Sequence, residues 1–255
     1  MQLAFGKAAE LRYRLVPGRT VRWVIRMDVD LTVETTGAPT ETLRAMVTTA
    51  LDIEVVRLEG QTALARAYPH RSDFWVKSGT LTEDDVADPM AGFVPAILLD
   101  DLGSVVPLTD QMATALAEPD DANPSRVLLL SLFPPYPEPE VETSMQWEVG
   151  LHPSWSHTED IALACGFARL DREDGGVLRP VVLHGTAYEW SRPASEAHAF
   201  ASSGEVKFAA ETRVDPNDGW ASHTEANAQI VARHARGDGA QITLTTTLKV
   251  IAERE

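Results

Sequence analysis

The chain has 255 residues, of which 44% are hydrophobic, and it carries a formal net charge of −16 with a pI near 4.8. A chain of this length and hydrophobic content can bury a large core, so general disorder is excluded. The acidic balance argues against DNA, RNA or an anionic membrane surface as the main partner, because each of these binds clustered Lys and Arg.

The predicted elements begin with a long β-strand. From Val21 to Val33 every second residue is apolar and the residues between them are mostly charged or polar, which is the period-2 pattern of a half-buried strand. The turn "TGAPT" separates this strand from a second alternating run at 43–55, and "EGQ" separates that run from "TALARAY". The first half therefore opens as an antiparallel meander.

Helices are predicted only near the middle of the chain, at 109–118 ("TDQMATALAE") and 123–133 ("NPSRVLLLSLF"), where Thr, Asp, Asn and Ser residues can cap the first turn. The Pro-rich run "SLFPPYPEPEV" follows at 131–141. It predicts a stiff, extended joint that stops the second helix, because residues before proline avoid the αR region. An exposed polyproline II ligand for a partner protein is the alternative.

Strands dominate the second half. Its last three are "GEVKFAAETRV", "WASHTEANAQIVARHA" and "AQITLTTTLKVIAE", joined by turns at 215–219 ("DPNDG") and 236–239 ("RGDG"). The expected fold is therefore mainly β, with long twisted antiparallel strands in one or two curved sheets that form a sandwich or an open half-barrel. One or two short helices lie near the middle.

The chain divides into two halves that look alike in outline. We expect an N-terminal β half with short helices at 1–133, a Pro-rich linker at 134–142 and a C-terminal β half at 143–255, all within one cooperative unit. Each half begins with a strand that carries a tryptophan, Trp23 or Trp147, followed by paired strands joined by glycine turns. A true repeat and two independently built halves both fit this outline, because the halves share little residue identity.

Several landmarks stand in order along the chain: "LRYRLVPGRTVRW", "FVPAILLDDLGSVVPL", "LLSLFPPYPEPEVETSMQW" and "GEVKF…DPNDGWASHTEANAQIVA". Together they resemble an uncharacterised bacterial family of β-rich envelope proteins, many of them lipoproteins, with a D-x-x-G-x-V hairpin, an FPPLP-type linker after a helix and a closing meander. The resemblance implies a domain of unknown function and assigns no reaction. This chain has "ETSMQW" where Gly-Asp-x-Trp is typical, and it shows neither an export signal nor a lipid-attachment cysteine.

Acidic residues are concentrated in the middle of the chain. Between Ser78 and Ala168 there are sixteen Asp and Glu residues and a single basic residue, Arg126. Such a surface would attract a basic partner or a hard cation such as Ca²⁺, while a solvated surface on connecting loops is the alternative. No calcium-loop motif accompanies the candidate residues of this partner or cation surface, which are Asp84, Asp85, Asp88, Asp120 and Asp121.

The common local motifs of catalysis are missing. The sequence has no G-x-S-x-G elbow, Walker loop, G-x-G-x-x-G fingerprint or H-E-x-x-H pair, so we assign no catalytic residue, metal site or cofactor. Cys165 is the single cysteine, which excludes an intramolecular disulfide, and its apolar neighbours predict a buried thiol. No apolar run approaches ~18 residues, so we expect no integral membrane segment. As written the chain is expected to be cytoplasmic, or an envelope or secreted protein if a leader was removed.

Tryptophans supply the remaining candidate site. If the long strands curve around a cavity, these rings would line an apolar pocket for a lipid or another apolar small molecule. The alternative is that they fill the core between sheet and helices. The candidate ligand-binding residues are Trp23, Trp75, Trp147, Trp155 and Trp190.

Three functions stay open at this point. The first is a non-enzymatic binding or structural module that contacts another protein or another copy of itself. The second is a carrier or sensor of an apolar small molecule or lipid. The third is a hydrolase with a dispersed site, for which the sequence offers no positive residue evidence.

Overall fold

The structure is a computed structural model that describes residues 11–70, 72–82, 96–107, 124–137, 145–150, 162–172, 178–192, 200–236 and 239–255. The first half of the chain contributes β1 (Thr20–Thr35), β2 (Glu41–Glu59), β3 (Thr62–Pro69), β4 (Asp73–Gly79), β5 (Ala96–Asp100) and β6 (Val105–Pro107). Helix α1 (Pro124–Leu132) follows, at the position of the second predicted helix; the first, at 109–118, lies outside the described residues. The second half contributes β7 (Gln146–Gly150), β8 (Ala162–Arg172), β9 (Leu178–Arg192), β10 (Phe200–Val214), β11 (Ala221–Arg236) and β12 (Gln241–Arg254).

All of these strands belong to one open antiparallel sheet of 12 strands, in the order β6-β5-β3-β2-β1-β12-β11-β10-β9-β8-β7, with β4 also paired to β2. The mainly β, antiparallel prediction is therefore confirmed, and the described strands form a single open sheet rather than a sandwich. Within this sheet the strands of the first half are neighbours of one another, and so are the strands of the second half. The two halves meet where β1 pairs with β12, from Trp23 opposite Arg254 to Thr35 opposite Ile242.

The alternating sequence pattern divides the sheet into two faces. On β1, the apolar residues Val21, Trp23, Ile25 and Met27 are buried on what we call the inner face, the face that contacts α1. The residues between them lie on the outer face, where cross-strand ion pairs replace apolar packing; Arg22 binds Asp52 there at 2.6 Å. The first part of β1 thus buries one face and exposes the other, as a period-2 pattern predicts.

Helix α1 packs on the inner face across β10, β11 and β12. Leu128, Leu129 and Leu132 are almost fully buried there. The strand residues on this part of the face are small, among them Ala226 and Ala228 on β11, so the helix can lie close to the sheet. Burial of each leucine side chain contributes about 1.5–3 kcal/mol, which makes this apolar contact the main attachment of the helix. No helix among the described residues has the length and apolar character to cross a membrane.

The described part of the Pro-rich linker, residues 134–137, is buried shortly after the end of α1. The Tyr136 backbone N–H donates to the Leu102 carbonyl at 2.7 Å, and the Tyr136 hydroxyl donates to the Gly219 carbonyl. The Tyr13 hydroxyl donates to the Pro134 carbonyl at 3.0 Å. This segment therefore ties hairpins from both halves together, and its burial is incompatible with an exposed polyproline ligand over 134–137.

A cluster of aromatic rings and charges closes the same end of the sheet. The ring of Tyr13 stacks on that of Tyr136 with centroids 5.0 Å apart and meets the ring of Trp220 edge-on at 5.4 Å. Beside them, the buried Asp218 carboxylate binds Arg254 at 3.0 Å and also binds Arg19. These contacts anchor the first described residues and the last strand to the turn at 215–219, whose Gly219 has a positive φ of 73°.

Candidate functional site

The four predicted tryptophans within the described residues do not all lie on one face of the sheet. Trp23 is fully buried on the inner face, where its ring lies 5.7 Å from that of Trp220. Trp190 is also buried on the inner face, over Gly204, where any Cβ would lie 2.6 Å from the indole ring. Trp75 lies on the outer face, opposite Met46 of β2, and is 43% exposed.

Trp147 of β7 is half-buried, and its indole N–H donates to the Pro135 carbonyl at 3.2 Å. Trp155 lies outside the described residues, as do all five predicted aspartates: Asp84, Asp85, Asp88, Asp120 and Asp121. Ligand binding by the tryptophans and by this acidic surface therefore stays a prediction. Within the described ranges, no group of three or more His, Cys, Asp and Glu side chains is arranged to hold a metal ion.

The candidate site is an open groove on the outer face, with a volume of about 1030 Å³. Two neighbouring rows of residues cross five strands, from β7 to β11, to form it. The first row is Glu148, Ala164, Gly185, Ala209 and Asn227, and the second row is Gln146, Gly166, Leu183, Glu211 and Glu225. The groove is therefore a product of strand register and not of any one segment.

Small residues make the floor of this groove. Ala164, Gly166, Gly185 and Ala209 stand where larger side chains would fill it. A Cβ added at Gly185 would lie 2.6 Å from the Phe208 carbonyl oxygen, so β9 and β10 approach each other closely on this face. Glycine in a strand often marks such a close approach. Because Gly166 and Gly185 have no side chains, the strand backbone itself lines this part of the groove.

The charged side chains among the described lining residues of the groove are all carboxylates, those of Glu148, Glu211 and Glu225. At its β11 end, His223 lies with Nε2 3.4 Å from a carboxylate oxygen of Glu225. In the middle of the groove, Leu183 is 43% exposed and offers an apolar surface. Concave surfaces lined by one sign of charge concentrate ligands of the opposite charge.

The inner face of the same strands carries two buried groups that titrate. The Cys165 thiol is buried, as predicted, and burial raises its pKa to about 12, so it stays protonated and is a poor nucleophile. The His184 ring donates from Nε2 to the Leu130 carbonyl of α1 at 2.8 Å, while its Nδ1 has no hydrogen-bond partner among the described residues. Burial lowers the pKa of His184 to about 4, so the imidazole is neutral at neutral pH.

Sequence reasoning located part of this groove only. Glu148 belongs to the acidic middle of the chain, and Trp147 was a candidate ligand-binding residue whose backbone borders the groove. Glu211 and Glu225 were missed because they belong to strands far along the chain. The available signal was small residues at alternating positions of two strands, Ala162, Ala164 and Gly166 on β8 and Gly185 and Ala187 on β9, where bulkier outer-face residues are usual.

No protein-family model and no curated protein matches the chain. Among solved structures, the chain is similar to lipovitellin, in a structure of lipid–protein interactions in lipovitellin, with a TM-score of 0.42 and 11% identity over 94% of this chain. It spans 25% of that lipovitellin chain. It is also similar to an outer membrane channel from Pseudomonas putida F1, with a TM-score of 0.26 and 10% identity over 100% of both chains. The site is therefore interpreted from its own residues.

Proposed function

We propose that this chain is a non-enzymatic binding protein whose outer-face groove takes a basic segment of a partner protein. The observation that carries the proposal is a groove of about 1030 Å³ whose charged lining residues, within the described part of the chain, are Glu148, Glu211 and Glu225. The net charge of −16 adds to the same attraction over longer distances.

The strength of binding follows from the exposure of Glu148 and Glu225. An ion pair between solvated groups contributes about 0–1 kcal/mol, and salt weakens it. Such pairs alone would give weak binding, so apolar contact with Leu183 and hydrogen bonds to backbone groups in the groove would add to them. We expect a dissociation constant on the order of micromolar that rises with ionic strength.

A peptide titration tests this function. The probe is fluorescein-labelled Lys-Val-Arg-Val-Lys, and fluorescence anisotropy is measured at low and at physiological salt. The groove variant E148Q/E211Q/E225Q is compared with E34Q/E41Q/E59Q, which removes the same charge from exposed positions on β1 and β2. We expect the groove variant to bind at least about tenfold more weakly and the control variant to change by less than about threefold.

Equal loss in the two variants would overturn the proposal, because it would show that net charge and not the groove attracts the peptide. Absence of binding to the unsubstituted protein at low salt would also overturn it.

The inner face favours a second candidate function, carriage of an apolar small molecule or lipid. Along β1 the inner-face side chains are buried from Val21 to Met27, whereas Val29, Leu31 and Val33 are only half-buried. Apolar surface therefore continues past the fully buried part of the strand. Native mass spectrometry and lipid extraction of the purified protein test this function, and a protein that carries no bound molecule and takes up no added fatty acid would exclude it.

A further inference from the structure

Strand β7 forms one end of the sheet and borders the groove. It pairs with β8 from Gln146 opposite Gly166 to Gly150 opposite Ala162, and β8 is the only strand bonded to it among the described residues. The backbone groups along its other edge have no hydrogen-bond partner within the described ranges. An edge of this kind is a template for an additional strand.

We propose that the basic partner segment binds by adding a β-strand to the free edge of β7. This inference rests on the proposed function, since it describes how the partner of the groove is held. Main-chain hydrogen bonds would supply affinity that solvated ion pairs do not, and alternate side chains would supply specificity.

The residues of β7 define which side chains such a strand would carry. Gln146 and Glu148 lie on the outer face and line the groove, while Trp147 and Val149 lie half-buried on the inner face. Residues opposite each other on neighbouring strands have Cβ atoms about 5 Å apart, within reach of a Lys or Arg side chain. The added strand would therefore alternate basic residues, which face Glu148, with apolar residues, which face Trp147 and Val149.

The same residues make a second copy of this chain a poor occupant of the edge. Antiparallel pairing of two β7 strands about their middle residue would place one Glu148 directly opposite the other. Like charges directly opposite each other destabilise a strand pair. The charge pattern of β7 therefore favours a basic strand from a different protein over self-association.

The test compares the peptide Lys-Val-Arg-Val-Lys with a peptide of the same sequence and charge in which all backbone amides are N-methylated. Methylation removes the N–H donors that a strand needs and leaves the basic side chains in place. We expect the methylated peptide to bind at least tenfold more weakly. Hydrogen exchange followed by NMR should show that amides of β7 exchange at least tenfold more slowly with the unmodified peptide bound, while those of exposed strand β4 do not change.

The outcomes separate the two proposals. If neither peptide binds, the proposed function fails. If both peptides bind equally and no β7 amide is protected, the groove still binds basic segments and strand addition is wrong. If light scattering shows a dimer whose β7 amides are protected without peptide, the occupant is a second copy and the inference is overturned.

Discussion

Protonation of His184 should reduce the stability of this protein in mild acid. The side chain is 3% exposed and sits between the sheet and α1, with its ring 5.6 Å from that of Phe208. A second proton would have to reside on the buried Nδ1, which has no hydrogen-bond partner in the described part of the chain. Burial is the largest cause of the lowered pKa, and the hydrogen bond to the Leu130 carbonyl opposes it only in part.

The sign of the effect follows from where each state takes up the proton. In the unfolded chain His184 has the ordinary pKa of 6.5, and in the folded protein the pKa is about 4. As the pH falls from 6.5 to about 4, the unfolded chain is protonated first and the free energy of unfolding decreases; below about 4 the loss is complete. Because one pKa unit corresponds to about 1.4 kcal/mol, the full loss is about 3 kcal/mol.

Urea denaturation of the wild type and of H184Q between pH 7.5 and pH 3.5 measures this loss. Glutamine does not titrate, and its amide N–H can replace the Nε2 donor to the Leu130 carbonyl. The difference in unfolding free energy between the two proteins should therefore change by about 3 kcal/mol across this range, in favour of H184Q at low pH. Cys165, which lies opposite His184 on β8, stays protonated throughout, because its pKa is about 12. A difference that does not vary with pH would refute the reasoning.

Three further predictions concern stability, each measured by chemical denaturation. D218N should reduce the unfolding free energy by about 2–4 kcal/mol, because the buried carboxylate binds Arg19 and Arg254. The control D30N removes an exposed ion pair and should reduce the unfolding free energy by less than about 1 kcal/mol. G204A should destabilise by at least about 2 kcal/mol, because its Cβ would lie 2.2 Å from the Val231 carbonyl oxygen. The matched control G150A should be nearly neutral, because its Cβ would meet no described atom within 4 Å. Y136F should cost about 1–2 kcal/mol, because it leaves the buried Gly219 carbonyl without its donor, and an unchanged midpoint would contradict that role.

The strands and their buried faces could be predicted from local sequence. Alternation from Val21 to Met27 identified the inner face of β1, and the turn at 215–219 lies between β10 and β11 as expected. The stop of α1 before Pro134 was also predicted, since proline restricts the residue that precedes it. These features depend on residues that are neighbours in the chain, so the sequence carries them directly.

The site depended on strand pairing instead. Glu148 and Glu225 line one groove because β7, β8, β9, β10 and β11 pair in a particular register, although these two residues are far apart in sequence. Local alternation also gave no sign that Trp75 faces away from Trp23, or that the prolines at 134–137 are buried.

Taken by itself, the sequence determined the strands, their turns and the apolar face of the long strands. The reason is that a period-2 pattern distinguishes the two faces of a strand. Only the tertiary structure decided which strands are neighbours, that β1 joins β12 to make one sheet of both halves, and that β7 is left at an edge beside an acidic groove. The physical reason is that strand pairing and register are non-local, since backbone hydrogen bonds between strands are the same for every sequence and side-chain packing across the whole sheet selects among them.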